Sequence, residues 1–325
     1  PWAFLGLHLT FFLVYGLQQI SLGTVQGKLV PATRRGFLLW TSQLAGVVPV
    51  VLLMRWLMPS WLGSPSTGFV AIFFFAGVSF VVAGTVTAAL REPTAVALSG
   101  TDRSRGLTAC IAETGRVLAA DRNFRWVLAV AALFSTAAFL APHYQAYART
   151  RFDLSKPELA HLATLWVIVQ TISVSGFSLA LGPLADWRGN RVTLRTLIVA
   201  AAAAPLTALA MGALPDDLGR RFYWVVFIPQ GLTPLLIPLL INYVLEISAP
   251  ADHPRYLSTL TIGLAVPYFF SPLLGSLISL TSFETIFWCV AATVLFSGGL
   301  TCRLAEPRRR GVPSDAAWAE MNGKT

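Results

Sequence analysis

The chain has 325 residues, of which 55% are hydrophobic and 12% charged, with a mean hydropathy of +0.65. A soluble domain carries about 25% charged residues, so that class is excluded. Continuous apolar runs of about 20 residues also exclude barrel strands, which are short and alternate. The net charge of +9 invites nucleic-acid binding, but Lys and Arg fall between the apolar runs and not on one soluble face, so no nucleic-acid partner is expected.

Nine segments are long and apolar enough to span a bilayer: Trp2–Leu22, Phe37–Leu57, Gly68–Leu90, Trp126–Tyr147, Leu159–Leu181, Val192–Leu214, Phe222–Leu245, Tyr256–Leu280 and Phe283–Cys302. Trp2, Trp56, Trp61, Trp126 and Trp224 sit near their ends, where amphipathic rings favour the headgroup layer. Pro49, Pro142, Pro205, Pro234, Pro238, Pro267 and Pro272 fall inside them and read as kinks that a packed membrane bundle tolerates. The link from Glu92 to Arg125 carries Leu107, Cys110, Ile111, Thr114, Val117 and Leu118 at helical spacing, which predicts a short amphipathic helix on the membrane surface.

Alternating the links fixes an orientation. Arg55, Arg149, Arg151, Lys156, Arg220 and Arg221 fall on one side, and the rest of the 24 Lys and Arg on the other. Positive charge marks the inside, which predicts a multi-pass inner (plasma) membrane protein with Arg35, Arg255 and the C-terminus cytoplasmic. The chain opens on Pro1-Trp2 with no visible signal peptide. Cys110, Cys289 and Cys302 follow no metal or disulfide spacing and read as free thiols.

The sequence also matches itself. One constant offset pairs Gln26 with Glu246, Arg35 with Arg255, Thr41 with Thr261, Leu44 with Leu264 and Ala45 with Ala265. Glu92-Pro93 and Glu306-Pro307 close the two copies. Spans one to three thus pair with spans seven to nine, while spans four to six lack a partner. This predicts a twelve-helix, two-half design with three helices missing before Pro1. The expected organisation is a three-helix remnant of the N-terminal half (1–91), a linker (92–125), a six-helix C-terminal half (126–307) and a basic tail (308–325).

The link between spans five and six reads Gly182-Pro183-Leu184-Ala185-Asp186-Trp187-Arg188-Gly189-Asn190-Arg191. It resembles the G-x-L-a-D-x-x-G-x-R loop of the major facilitator superfamily, in that family's second copy. The resemblance implies an all-α membrane bundle with about nine of twelve transmembrane helices present. It also implies a secondary transporter of a small solute working by alternating access. The alternative is a non-transporting assembly factor or sensor on the same fold. In that reading Gly182 and Gly189 permit close approach and a tight turn, and Asp186 reaches the N-terminus of the second span near Gly36 to Leu39. Arg191 and Arg195 meet Glu246, and Arg35 and Arg255 open their spans as part of the same gate.

Candidate cavity residues follow from the family's cavity-lining helices and from polar spacing. Span one carries His8, Tyr15 and Gln19 on one helical face, and span four His143 and Tyr144. Span five carries Trp166, Gln170 and Ser173, and span seven Gln230 and Thr233. No Asp or Glu lies mid-span, so a carboxylate relay is not visible, leaving His8 or His143 to titrate and uniport open. No nucleotide, serine-hydrolase or zinc motif is present. The expectation is therefore a monomer in the lipid bilayer that is not an enzyme, holds no metal or cofactor, and takes a small-molecule substrate.

Overall fold

The structure, a computed structural model, describes residues 2–62, 68–89, 107–268 and 270–306. Within these residues it is all-helical. Eight helical stretches are long and apolar enough to cross a membrane: Ala32–Trp56, Gly68–Ala88, Arg122–Phe152, Lys156–Arg188, Asn190–Ala213, Asp216–Ile247, His253–Leu280 and Phe283–Arg303. They correspond to the second to ninth expected spans. The first expected span is helix α1, Trp2–Leu29, whose 28 residues reach about 42 Å, beyond the roughly 30 Å hydrocarbon layer. The chain is a multi-pass membrane protein.

The second span is α2 (Arg35–Trp56), which runs through Pro49 without a break. A short α3 (Met58–Leu62) leads to α4 (Gly68–Ala88). Helix α5 (Leu107–Ala120) is the amphipathic helix of the link. It packs against the bundle rather than only lying on the membrane, with contacts to neighbouring helices and with Val117 2% exposed. The fourth span is α6 (Arg122–Phe139) and α7 (Ala141–Phe152), divided at Leu140, two residues before Pro142. The fifth is the uninterrupted α8 (Lys156–Arg188). The sixth is α9 (Asn190–Ala201) and α10 (Ala203–Ala213), which bends ahead of Pro205.

The seventh expected span is not one helix. It consists of α11 (Asp216–Phe222), a 3-10 turn at Tyr223–Val226, α12 (Phe227–Gln230), another at Thr233–Leu235, and α13 (Leu236–Ile247). Pro229, Pro234 and Pro238 each lack the N–H that would bond the carbonyl four residues earlier, and three such losses within ten residues weaken the α-helical ladder along this stretch. The eighth span divides into α14 (His253–Tyr268) and α15 (Ser271–Leu280), and the ninth is α16 (Phe283–Leu300).

The buried core is drawn almost wholly from residues 117–304. Phe124, Phe134, Tyr144, Leu197, Tyr223, Phe227, Tyr243 and Phe287 are each no more than 1% exposed. In α4, by contrast, Phe69, Phe73, Phe74 and Val81 are all exposed. Such apolar surface is compatible with lipid, whose hydrocarbon is as apolar as the side chains. Helices α1 and α2 dock on the C-terminal spans, α2 along α8 and α1 against α14.

Candidate functional site: a latch at one end of the bundle

The second span begins beside the last turns of α8. A helix N-terminus presents unsatisfied N–H groups and about half a positive charge. The Asp186 carboxylate occupies that position on α2. Gly36 N donates to its Oδ1 at 2.8 Å and Phe37 N donates to its Oδ2 at 2.9 Å. The chain could not come so close with larger residues. A Cβ added at Gly36 would lie 2.1 Å from the Gly182 carbonyl oxygen, and one at Gly182 would lie 2.6 Å from the Gly36 oxygen. Gly189 closes the loop at φ 88°, the left-handed region that glycine enters without steric cost. Farther along the same seam Ser175 Oγ donates to the Gln43 carbonyl at 3.0 Å.

Arg35 is buried where α1 ends and α2 begins. Its Nε donates to Val30 O at 3.1 Å and its Nη2 to Gly27 O at 3.3 Å, so a guanidinium meets the carbonyl end of α1, where the helix dipole favours a cation. Helix α1 in turn sits on α13 and α14 through three glycines. Gly16 faces Thr261, Gly23 faces Leu257 and Ile241, and Gly27 faces His253 and Leu245. Small residues at helical spacing let membrane helices approach closely. Gln26 Nε2 donates to Asn242 Oδ1 at 2.8 Å across the same contact. Glu246 is buried next to Leu245 at the end of α13, and Arg255 lies 3.9 Å from Asp252 in the first turn of α14. Arg35, Asp186, Glu246 and Arg255 therefore share one end of the bundle.

Arg191 and Arg195 do not turn to Glu246 as expected. Arg191 Nη2 donates to Cys302 O at 2.9 Å, and Arg195 Nε to Thr301 Oγ1 at 3.0 Å. The turn that follows α16 offers one carbonyl and one hydroxyl to these guanidinium groups, beside the negative end of the helix dipole. The turn beyond α16 is further held by Tyr243 Oη donating to Ala305 O at 2.7 Å and by Ala305 N donating to Asn123 Oδ1 at 2.7 Å.

The residues expected to line a cavity differ in their surroundings. Tyr144 belongs to the core: it is 1% exposed, its ring packs 5.3 Å from Phe287, and its carbonyl accepts from Tyr223 Oη at 2.8 Å. The kink at Leu140 turns it inward. Gln230 is 2% exposed, enclosed by packing rather than open to a cavity. Trp166 stacks on Phe227 at 5.9 Å, with Gln170 and Thr233 half-buried near the same α8–α12 contact. Tyr15 stacks on Phe11 at 6.2 Å, and Gln19 and His143 are half-buried. The side chains of His8 and Cys110 lie outside the described residues, as does the basic tail. Cys289 and Cys302 are free and exposed. Among the described residues no hydrogen bond joins two members of the cavity set, and no group of three or more His, Cys, Asp or Glu is placed to hold a metal ion.

The sequence reading missed the glycine face of α1, the Gln26–Asn242 bond and buried His253. The recurrence of Gly16, Gly23 and Gly27 on one helical face was the available signal.

No family model and no curated protein sequence matches the chain. Its fold is similar to a solved structure described as a bacterial homologue of the iron transporter ferroportin in an outward-facing state. The TM-score is 0.61 at 15% identity, over 89% of this chain and 69% of that one. The all-helical, multi-spanning architecture thus matches a transporter fold of that type.

Proposed function

We propose that the protein is a secondary transporter of a small solute, of the major facilitator type, working by alternating access, and that the latched end faces the cytoplasm. The observation that carries this reading is the Asp186 carboxylate accepting two backbone N–H groups from the start of α2, 149 and 150 residues away in sequence. A contact between the last turn of one helix and the N-terminus of another can be made and broken as rigid groups of helices rock, without unfolding either partner. The Gln26–Asn242 bond and the glycine face of α1 help to close the same end. The fold similarity supports transport as the use of that motion. The positive-inside bias supports the orientation.

The test is Asp186→Asn, which keeps the side chain's shape and removes its charge. Purified protein in proteoliposomes is screened for uptake over a panel of small solutes, while thiol labelling from each side reports which end is open. The reading expects slower uptake and more labelling at the latched end, with folding intact. Unchanged rates and unchanged labelling would reduce Asp186 to a static structural cap.

A further inference from the structure

Beside the Asp186 contact, the same end of the bundle carries a second polar feature. A cavity of about 970 Å³ opens where α6 and α9 begin and α16 ends. Those are the terminal residues of three bilayer-length spans, so the cavity lies at the depth of lipid headgroups. Its wall is charged in two parts. Arg122, Arg191 and Arg303 supply guanidinium groups, and Glu306 supplies a carboxylate.

Each part has a stated condition. Arg122 is exposed, and no hydrogen bond or ion pair holds it among the described residues. The Arg303 guanidinium carbon lies 4.6 Å from the centre of the Trp126 ring, a cation–π contact that uses none of its N–H donors on an acceptor atom. Arg191 spends only Nη2 on Cys302 O. Glu306 sits on the turn fixed by Tyr243 and Asn123, and its Oε1 is buried with no hydrogen-bond partner. A buried carboxylate oxygen without a donor is costly, and a ligand N–H would satisfy it. The other acid of the wall, Asp121, is already satisfied: its Oδ1 accepts from Phe124 N at 2.9 Å and its Oδ2 from Tyr256 Oη at 3.1 Å.

We infer that this cavity binds a phosphoethanolamine group, with the phosphate on the arginines and the primary ammonium donating to Glu306. Arginine recognises phosphate through paired N–H donors, and basic pockets between spans at this depth bind phospholipid headgroups. The carboxylate sets the choice among them. Ethanolamine carries three N–H donors, choline's quaternary nitrogen carries none, and a glycerol headgroup carries no positive charge. The same chemistry reaches the site either as a membrane phospholipid or as a soluble glycerophosphodiester.

The test uses the full chain, delipidated and offered equimolar phosphatidylethanolamine, phosphatidylcholine and phosphatidylglycerol, with retained lipid counted by native mass spectrometry. A charge-assisted hydrogen bond predicts a preference for ethanolamine of about tenfold over choline. Glu306→Gln, which keeps the side chain's size, is expected to bring that preference below about twofold while the protein stays folded. Arg122→Ala with Arg303→Ala lowers retention of all three lipids. Glycerophosphoethanolamine is added in a parallel arm. Displacement of bound lipid by an equal concentration assigns the site to the soluble form, and no displacement assigns it to the membrane lipid. Retention of glycerol or choline lipids equal to that of ethanolamine, or an ethanolamine preference untouched by Glu306→Gln, overturns the inference.

Discussion

Gly36→Ala tests the closure by sterics alone. The added Cβ would sit 2.1 Å from the Gly182 carbonyl oxygen, where ordinary contact begins at 3.4 Å. The two backbones must therefore part by about 1.3 Å, the difference of those two distances. Asp186 cannot fill the gap, because its own Oδ1 lies 2.7 Å from the new carbon. The bonds from Gly36 N and Phe37 N, now 2.8 and 2.9 Å, then pass beyond hydrogen-bonding range. A hydrogen bond to a charged group contributes about 1.5–3 kcal/mol. Phe37 is exposed and Asp186 half-buried, so the pair together is worth about 2–3 kcal/mol at this site. That corresponds to a shift of about 30- to 150-fold in the equilibrium between closed and open ends. The assay is maleimide labelling of a single cysteine at Leu257, 2% exposed when the end is shut, in a background whose native cysteines are replaced by serine. Labelling should rise steeply in Gly36→Ala. Gly46→Ala on the same helix meets nothing within 4 Å and serves as the control. Equal labelling in the two folded variants would refute the steric reasoning.

Two further changes probe the packing at the latched end, and a third probes the opposite end. Gln26→Leu removes the donor to Asn242 and should lower the unfolding temperature in detergent, by the equivalent of about 0.6–1.7 kcal/mol for a bond between membrane helices. Tyr243→Phe deletes the hydroxyl that holds Ala305 O. It should cost about 1 kcal/mol and raise proteolysis of the chain after α16. Gly212→Ala would put a carbon 1.9 Å from Tyr147 Oη, so it should destabilise by about 1–3 kcal/mol, with Tyr147→Phe in the same chain restoring part of the loss.

The all-helical bundle and its spans were legible because lipid forces long apolar runs and satisfied backbones. The Asp186 contact was expected because its motif resembles the major facilitator loop, which in that family reaches a helix start in the opposite half. The partner of Arg191 was not. Sequence shows that a guanidinium seeks negative charge, but not that a carbonyl in the turn after α16 comes closer than Glu246 does. Tyr144 was misplaced for a related reason: a polar-aromatic cluster on one span does not reveal which way the Pro142 kink turns it. Two of the prolines between α11 and α13, Pro234 and Pro238, were read as kinks, but Pro229 was not, and the joint effect of all three on the ladder was missed. The docking face of α1 lay in its glycines, which carry no side chain to signal a role.

The central claim is that the bundle alternates between two arrangements with the Asp186 end shut in one of them. Paired spin labels at Lys28 and Asp252 across the latched end, and at Trp56 and Lys156 across the other, measured by pulsed electron–electron distance spectroscopy in nanodiscs, test it most directly. The account predicts two distance populations at each end, with Asp186→Asn lengthening the first pair and shortening the second. A single unchanged distance at both ends, in wild type and variant alike, would contradict it.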